Sequence, residues 1–250
     1  MDSKPKVAFV MPCGGDVSPR VVQSALMMVS NAWENGIEVK QIGITERTLI
    51  HSARNWLSKE FLSTDCEWLF WMDSDMILEA RTLYVMMAHA KRLDAKFLTG
   101  IYYQRMGAHR PVLGVNKATS LNGKANLKLE DDYSFVPVAV SENATAPFQV
   151  DMTGFGCVLL HRSVYENLRY PYFRFLFNED KPESYISEDT YFCAKVRKAG
   201  ISIYAIPELR CGHLGQNPII TAKDFQIDQA VCEEILVQRG PVPQKEVVSL

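Results

Sequence analysis

Five consecutive apolar residues, Trp68-Leu69-Phe70-Trp71-Met72, followed at once by Asp73-Ser74-Asp75, constrain this chain more than any other feature. A run this short with no polar residue predicts a strand buried on both faces, because alternate side chains of a strand point to opposite sides. Such a strand lies inside a sheet covered by helices on both sides. The flanking sequence supplies those helices. Lys6–Met11 (KVAFVM) is a second apolar strand pattern, and residues 18–35 carry a helical pattern closed by Gly36, a residue with no Cβ to oppose a left-handed cap. Residues 37–44 alternate as a strand, 48–62 and 80–95 read as helices, and 96–103 are another apolar strand. The order βαβαβαβ predicts an α/β fold with a mainly parallel central sheet and right-handed crossovers.

The second half is less regular. Residues 104–150 hold turn residues, short apolar pairs and the acidic run Glu130-Asp131-Asp132, and read as loops and short antiparallel strands. An irregular stretch that long marks a functional insertion or a lid. Residues 152–161 read as a strand in which Gly154 and Gly156 allow backbone or ligand to come close. A short helix at 162–167, an aromatic loop at 170–177 and a helix at 187–199, capped by Ser187 and ended by Gly200, follow. A strand at 201–206, a loop at 207–215 and a last helix at 221–239 complete the reading. We expect one domain over 1–250, with a nucleotide-sugar half (1–103), an acceptor and catalytic half (104–218) and a helical tail (219–250).

Lys and Arg number 27 against 29 Asp and Glu, so no excess of positive charge predicts non-specific nucleic-acid binding, although one basic groove would suffice for it. The six cysteines contain no CxxC pair, which argues against a zinc ribbon or a thioredoxin-like site. They read as reduced, mostly buried thiols of a cytoplasmic protein. No window is long and apolar enough for a membrane span. The Asn143-Ala144-Thr145 triplet fits a glycosylation sequon, but no secretory signal precedes it, and it reads as chance.

Ligands of an open parallel sheet bind outside the carboxyl ends of its strands, where Asp73 and Asp75 stand. Two carboxylates that close repel unless a cation or a proton lies between them. A hard divalent cation, Mg²⁺ or Mn²⁺, fits, with substrate phosphates completing its coordination and their growing charge neutralised. The other reading is a solvated turn whose aspartates cap the next helix.

On these residues the chain resembles GT-A-type glycosyltransferases, especially the family-2-like group. Met72-Asp73-Ser74-Asp75 looks like their Asp-x-Asp element. The strand ending at Pro12 looks like the first strand, whose end borders the nucleotide base. Ser52-Ala53-Arg54-Asn55 resembles an Ala-Arg-Asn element near the nucleotide, Ser187-Glu188-Asp189 the Glu-Asp element at the start of a helix, and Cys211-Gly212-His213 the late histidine of the metal site. The resemblance spans about residues 5–215. It lacks the family's Gln-x-x-Arg-Trp motif, and residues 104–150 match nothing in it.

The resemblance implies a GT-A-like nucleotide-binding fold and a sugar moved from a nucleotide-sugar donor, UDP-sugar rather than GDP-sugar, to an acceptor hydroxyl. It implies a Mn²⁺ or Mg²⁺ ion on Asp73, Asp75 and His213, and donor contacts from Pro12, Arg54, Ser74 and Arg105. It makes Asp189, with Glu188 beside it, the candidate general base. Each assignment has a plainer counterpart: helix capping for Glu188 and Asp189, an exposed loop histidine for His213, and an acid-paired surface helix residue for Arg54. Gly154 and Phe155 either line the acceptor side or belong to a core strand. His109 and Arg110, like Arg105, follow a strand end and are further candidates for the diphosphate. The acceptor remains open among a glycan, a protein, a lipid carrier and a modified nucleobase. Two other functions stand beside this one. One is nucleotidyl transfer, disfavoured because Cys13-Gly14-Gly15-Asp16 carries no nearby lysine. The other is a non-catalytic nucleotide- or glycan-binding module.

Overall fold

A computed structural model describes residues 4–45, 48–106, 109–116, 133, 135–178, 181–215 and 219–220. The expected last helix at 221–239, the 219–250 tail beyond Ile220, Cys232 and the acidic run 130–132 lie outside the described residues.

The first half alternates as its sequence predicts: β1 (Lys6–Met11), α1 (Pro19–Glu34), β2 (Glu38–Ile44), α2 (Ile50–Leu62), β3 (Trp68–Met72), a two-residue β4 (Met76–Ile77), α3 (Thr82–Leu93) and β5 (Phe97–Ile101). Gly36 holds a φ of 77° just beyond α1, and Gly200 one of 75°, the left-handed conformation that a side chain opposes. Then come β6 (Leu113–Asn116), β7 (Phe135–Pro137), β8 (Phe148–Val150), β9 (Met152–Thr153), β10 (Cys157–His161), α4 (Arg162–Glu166), β11 (Leu176–Asn178) and β12 (Lys181–Ile186). The described chain closes with α5 (Glu188–Lys198), β13 (Ile203–Arg210), β14 (Gly212–Leu214) and β15 (Ile219–Ile220).

The central sheet runs β2-β1-β3-β10-β5-β13-β8. β2, β1 and β3 are parallel, and so are β5 and β13. β10 is the exception, wedged antiparallel between β3 and β5. Alternation places Ala8, Val10, Leu69 and Trp71 in one core layer with α2, and Val7, Phe9, Phe70 and Met72 in the other with α1 and α3. WLFWM is buried along its whole length.

Two expectations are corrected. The strand expected over 152–161 is two strands, β9 in a small β7-β6-β9 sheet and β10 in the large one. The chain turns between them at Gly154–Gly156, because Tyr102 fills the space there: a Cβ on Gly154 would lie 2.1 Å from the Tyr102 hydroxyl oxygen. The loop expected at 207–215 is mostly strand, since β13 continues to Arg210 and β14 pairs with β4. The mixed polar residues there give no clear two-residue period, which is why the pairing is not readable from them. In the large sheet β10 separates β3 from β5.

Candidate active site

The carboxyl ends of β1 and β3, the start of α2, the chain after β5, the start of α5 and β14 enclose a pocket of about 770 Å³. Pro12, Arg54, Asp73, Ser74, Asp75, Arg105, Glu188, Asp189 and His213 all line it. Residues far apart in sequence meet there because each ends or begins an element at the same edge of the sheet.

Arg54 is the hub. Its guanidinium is buried over the rings of Trp71 and Phe155, 5.6 and 5.1 Å from their centroids. Nε donates to Glu188 Oε1 at 3.2 Å and Nη2 to Asp73 Oδ2 at 3.2 Å. Nη2 also lies 3.1 Å from Asp73 Oδ1, yet that oxygen, like Arg54 Nη1, is buried without a hydrogen-bond partner. Burial opposes the Arg54 charge, but Asp73, Glu188 and Asp189 outweigh it and raise its pKa. Burial pushes the Asp73 carboxyl above the usual carboxylate range; Arg54 pulls it back and Asp75 pushes it further. Glu188 is raised by its own burial and by Asp189, against the pull of Arg54. The acid pairing weighed as the plainer reading of Arg54 is therefore present, inside the pocket rather than on a surface.

Asp75 and His213 form the second group. The antiparallel pairing of β4 with β14 sets His213 opposite Met76, one residue past Asp75. His213 Nδ1 is 2.6 Å from the Tyr103 carbonyl oxygen, which only accepts, so Nδ1 carries the hydrogen. That leaves Nε2 facing Asp75 Oδ2 at 3.3 Å. A neutral imidazole presents a bare lone pair to a carboxylate there, an arrangement that calls for a proton or a cation between them. Arg105 Nη1 reaches Asp75 Oδ2 at 3.0 Å. Burial would raise the Asp75 carboxyl, but His213 and Arg105 hold it below the usual range.

Among the described residues no three His, Cys, Asp or Glu side chains converge as a metal cage. The expected trio of Asp73, Asp75 and His213 is split because Arg54 draws Asp73 to itself. The donor set still fits a hard divalent cation: Asp75 Oδ2 and His213 Nε2 converge, Asp73 lines the same pocket with its Oδ1 ion-paired to Arg54, and diphosphate and water oxygens would serve the remaining positions.

Asp189 opens α5, and its Oδ1 accepts from the Thr190 backbone N–H at 2.7 Å and from the Ser187 hydroxyl. Ser187 makes no side-chain cap to the helix backbone, as that hydroxyl is turned to Asp189. Gly154 and Phe155 do not line the pocket. Phe155 is fully buried, edge-on to Trp71, Phe97 and Phe173, so it belongs to the core and supports Arg54 from below. His109 and Arg110 also stay outside: Gln104 N–H donates to the Arg110 carbonyl at 2.9 Å, and this turn directs them away. The sequence reading missed Tyr102, Met106 and Tyr185 as pocket walls. Tyr102 directly follows β5, and the strand-end rule that found Asp73 would have found it.

This architecture is the GT-A fold, a mostly parallel central sheet flanked by helices with smaller antiparallel sheets. The sequence matches no protein-family model and no curated protein. Solved structures that are similar include the following two. The crystal structure of A197 from STIV has a TM-score of 0.54 at 18% identity, over 90% of this chain and 95% of that one. GalNAc-T7, solved with UDP, GalNAc and Mn²⁺, has a TM-score of 0.51 at 11% identity, over 90% of this chain. This chain spans 46% of the GalNAc-T7 chain. No described helix is long and apolar enough to cross a membrane.

Proposed function

We propose that this chain is a metal-dependent glycosyltransferase of the family-2-like group, moving a sugar from a nucleotide-sugar donor, UDP-linked in preference to GDP-linked, to an acceptor hydroxyl. The observation that carries the reading is the pairing of His213 Nε2 with Asp75 Oδ2 while Nδ1 is committed to a carbonyl. The fold likeness to GalNAc-T7, solved with UDP and Mn²⁺, supports it.

Asp75 and His213 would hold Mn²⁺ or Mg²⁺, with Asp73, ion-paired to Arg54 on the same pocket wall, as a further oxygen donor, and Ser74 would hold the pair at that wall. The cation supplies charge neutralisation to a departing diphosphate. Pro12, with Cys13 and Gly14 beyond it, walls the side expected to take the base. Arg54 Nη1, a buried donor with no partner, offers a hydrogen bond to the donor substrate, and Arg105 adds a second positive charge at Asp75. Asp189 accepts the acceptor's proton as its oxygen attacks. Glu188 is committed to Arg54 and acts by positioning it. Residues 1–103 would carry most of the donor side, joined by Arg105 and His213, and 104–218 the acceptor side with Asp189.

The test is thermal unfolding with UDP, GDP, CMP and dTDP, each with Mn²⁺ and with EDTA. At about a hundredfold excess over Kd a ligand adds about 2.7 kcal/mol, a rise of several degrees for a chain of this size. UDP should raise Tm with Mn²⁺, lose the effect in EDTA, and lose it in Asp75→Asn. No shift with any nucleotide in folded protein would sink the reading.

A further inference from the structure

A second groove, of about 460 Å³, runs along the outer face of α2, between the helix and the chain at 170–174. His51, Ser52, Trp56 and Lys59 line it from the helix, and Tyr170 and Arg174 from the facing segment. Trp56 is 49% exposed and Tyr170 54%, a large apolar cost unless something covers them. Lys59 Nζ lies 4.0 Å from the centre of the Tyr170 ring. Among the described residues no acidic side chain lines this groove, in contrast to the catalytic pocket.

The groove leads to that pocket through aromatic rings. His51 meets Phe175 edge-on at 5.4 Å. Phe175 stacks on Phe177 at 6.3 Å and meets Tyr185 at 5.8 Å. Phe177 and Tyr185 face each other across the β11–β12 hairpin, 70% and 59% exposed, and Tyr185 lines the catalytic pocket. A path of rings therefore runs from the mouth of the pocket along α2, exposed at Tyr185, Phe177, Trp56 and Tyr170 and half-buried at Phe175 and His51, with hydroxyl and cationic groups at its edges.

A sugar ring matches this chemistry, with a C–H face to lie on an aromatic ring and hydroxyls at its rim for Ser52 and His51. Single-stranded nucleic acid also stacks, but it brings a phosphate with every base, whereas among the described residues only Lys59 and Arg174 line this groove as permanent cations. Resting on the glycosyl-transfer reading, we propose that the acceptor is an acidic oligosaccharide. Its terminal unit enters the catalytic pocket beside Tyr185, its following units lie over Phe177, Trp56 and Tyr170, and its carboxylate or sulfate groups pair with Lys59 and Arg174.

Calorimetric titration of the full chain, without donor, tests this. The probes are oligogalacturonides, heparin-derived oligosaccharides and malto-oligosaccharides, each series in increasing length, with single-stranded DNA as a further ligand. Affinity should rise about tenfold from the shortest to the longest member of one acidic series and fall as salt is raised. The series that responds tells carboxylate from sulfate. Trp56→Ala and Lys59→Glu, both surface changes, should each remove the length dependence and leave the Mn²⁺-dependent UDP shift intact. Length-independent binding, or none, in both acidic series overturns the proposal. So does equal binding of the neutral series, or binding of DNA alone. Since no donor is present, length-dependent binding without any UDP shift would remove the transfer reading alone.

Discussion

Arg54 shows how one side chain joins stability to chemistry. It is the only described cation that reaches both Asp73 and Glu188, and both acids are pushed by burial toward their neutral forms. Breaking a buried ion pair leaves an uncompensated charge, which costs about 3–5 kcal/mol. Arg54→Met should lower the urea unfolding free energy by about that amount, and adding Glu188→Gln should restore part of it, since the two sites are in contact. Asp189 makes the opposite prediction, because it opens on the pocket and its pairing is local. Asp189→Asn should unfold like the parent and keep the Mn²⁺-dependent UDP shift, while transfer falls about 10²- to 10⁴-fold, the usual worth of a general base. Loss of the nucleotide shift in that variant would make Asp189 a donor-site residue instead.

Among the elements, the turn between β9 and β10 is governed by Tyr102, whose hydroxyl oxygen accepts from the Gly156 N–H at 3.1 Å. Gly154→Ala should destabilise the fold by about 1–3 kcal/mol through overpacking. In a Tyr102→Phe background the cost should shrink without vanishing, because the 2.1 Å clash with the hydroxyl is gone while Val112 Cγ1 still lies 2.8 Å from the new methyl. Equal costs in both backgrounds would show that the hydroxyl is not the obstacle. The short α4 carries a pH signature. His161 caps it, Nδ1 accepting from the Ser163 backbone N–H at 3.2 Å, which only an unprotonated nitrogen can do. Burial, then Lys96, holds its pKa below the usual histidine value. The unfolded chain therefore binds the proton more readily. The cap's contribution is complete above the ordinary pKa of about 6.5 and is lost as pH falls through that value toward the lowered one. Chemical unfolding at pH 7.5 and at pH 5.5 should show this loss, and His161→Asn, which caps without titrating, should reduce it.

At the scale of the whole molecule, what could be read in the sequence divides by how far each signal reaches. The first half was legible because WLFWM and KVAFVM are buried on both faces and their helices have clear ends. That Asp73 and Asp75 line the pocket was legible for the same reason, since ligands of such a sheet bind at its strand ends. The pairing of Arg54 with two acids was not legible, since no local period says which buried charge a helix residue will meet. Phe155 was ambiguous for a related reason, as an aromatic residue beside a glycine suits a core as well as a binding face. The antiparallel place of β10 was hidden too, because its apolar run is the same whichever way the strand points.

That placement has a consequence for how the chain reaches its shape. Emerging from a ribosome, β1, β2 and β3 can associate early, but the open side of β3 waits for residues 157–161, and β5 waits beside it. The nascent chain carries two unsatisfied backbone edges through the synthesis of more than fifty further residues. Edges of this kind invite pairing with other chains. The closing of the sheet is thus a late event of long sequence separation, the sort that slows folding. It makes the pocket-lining residues of the two halves of the chain ripen together, with no completed pocket standing ready before the second half arrives.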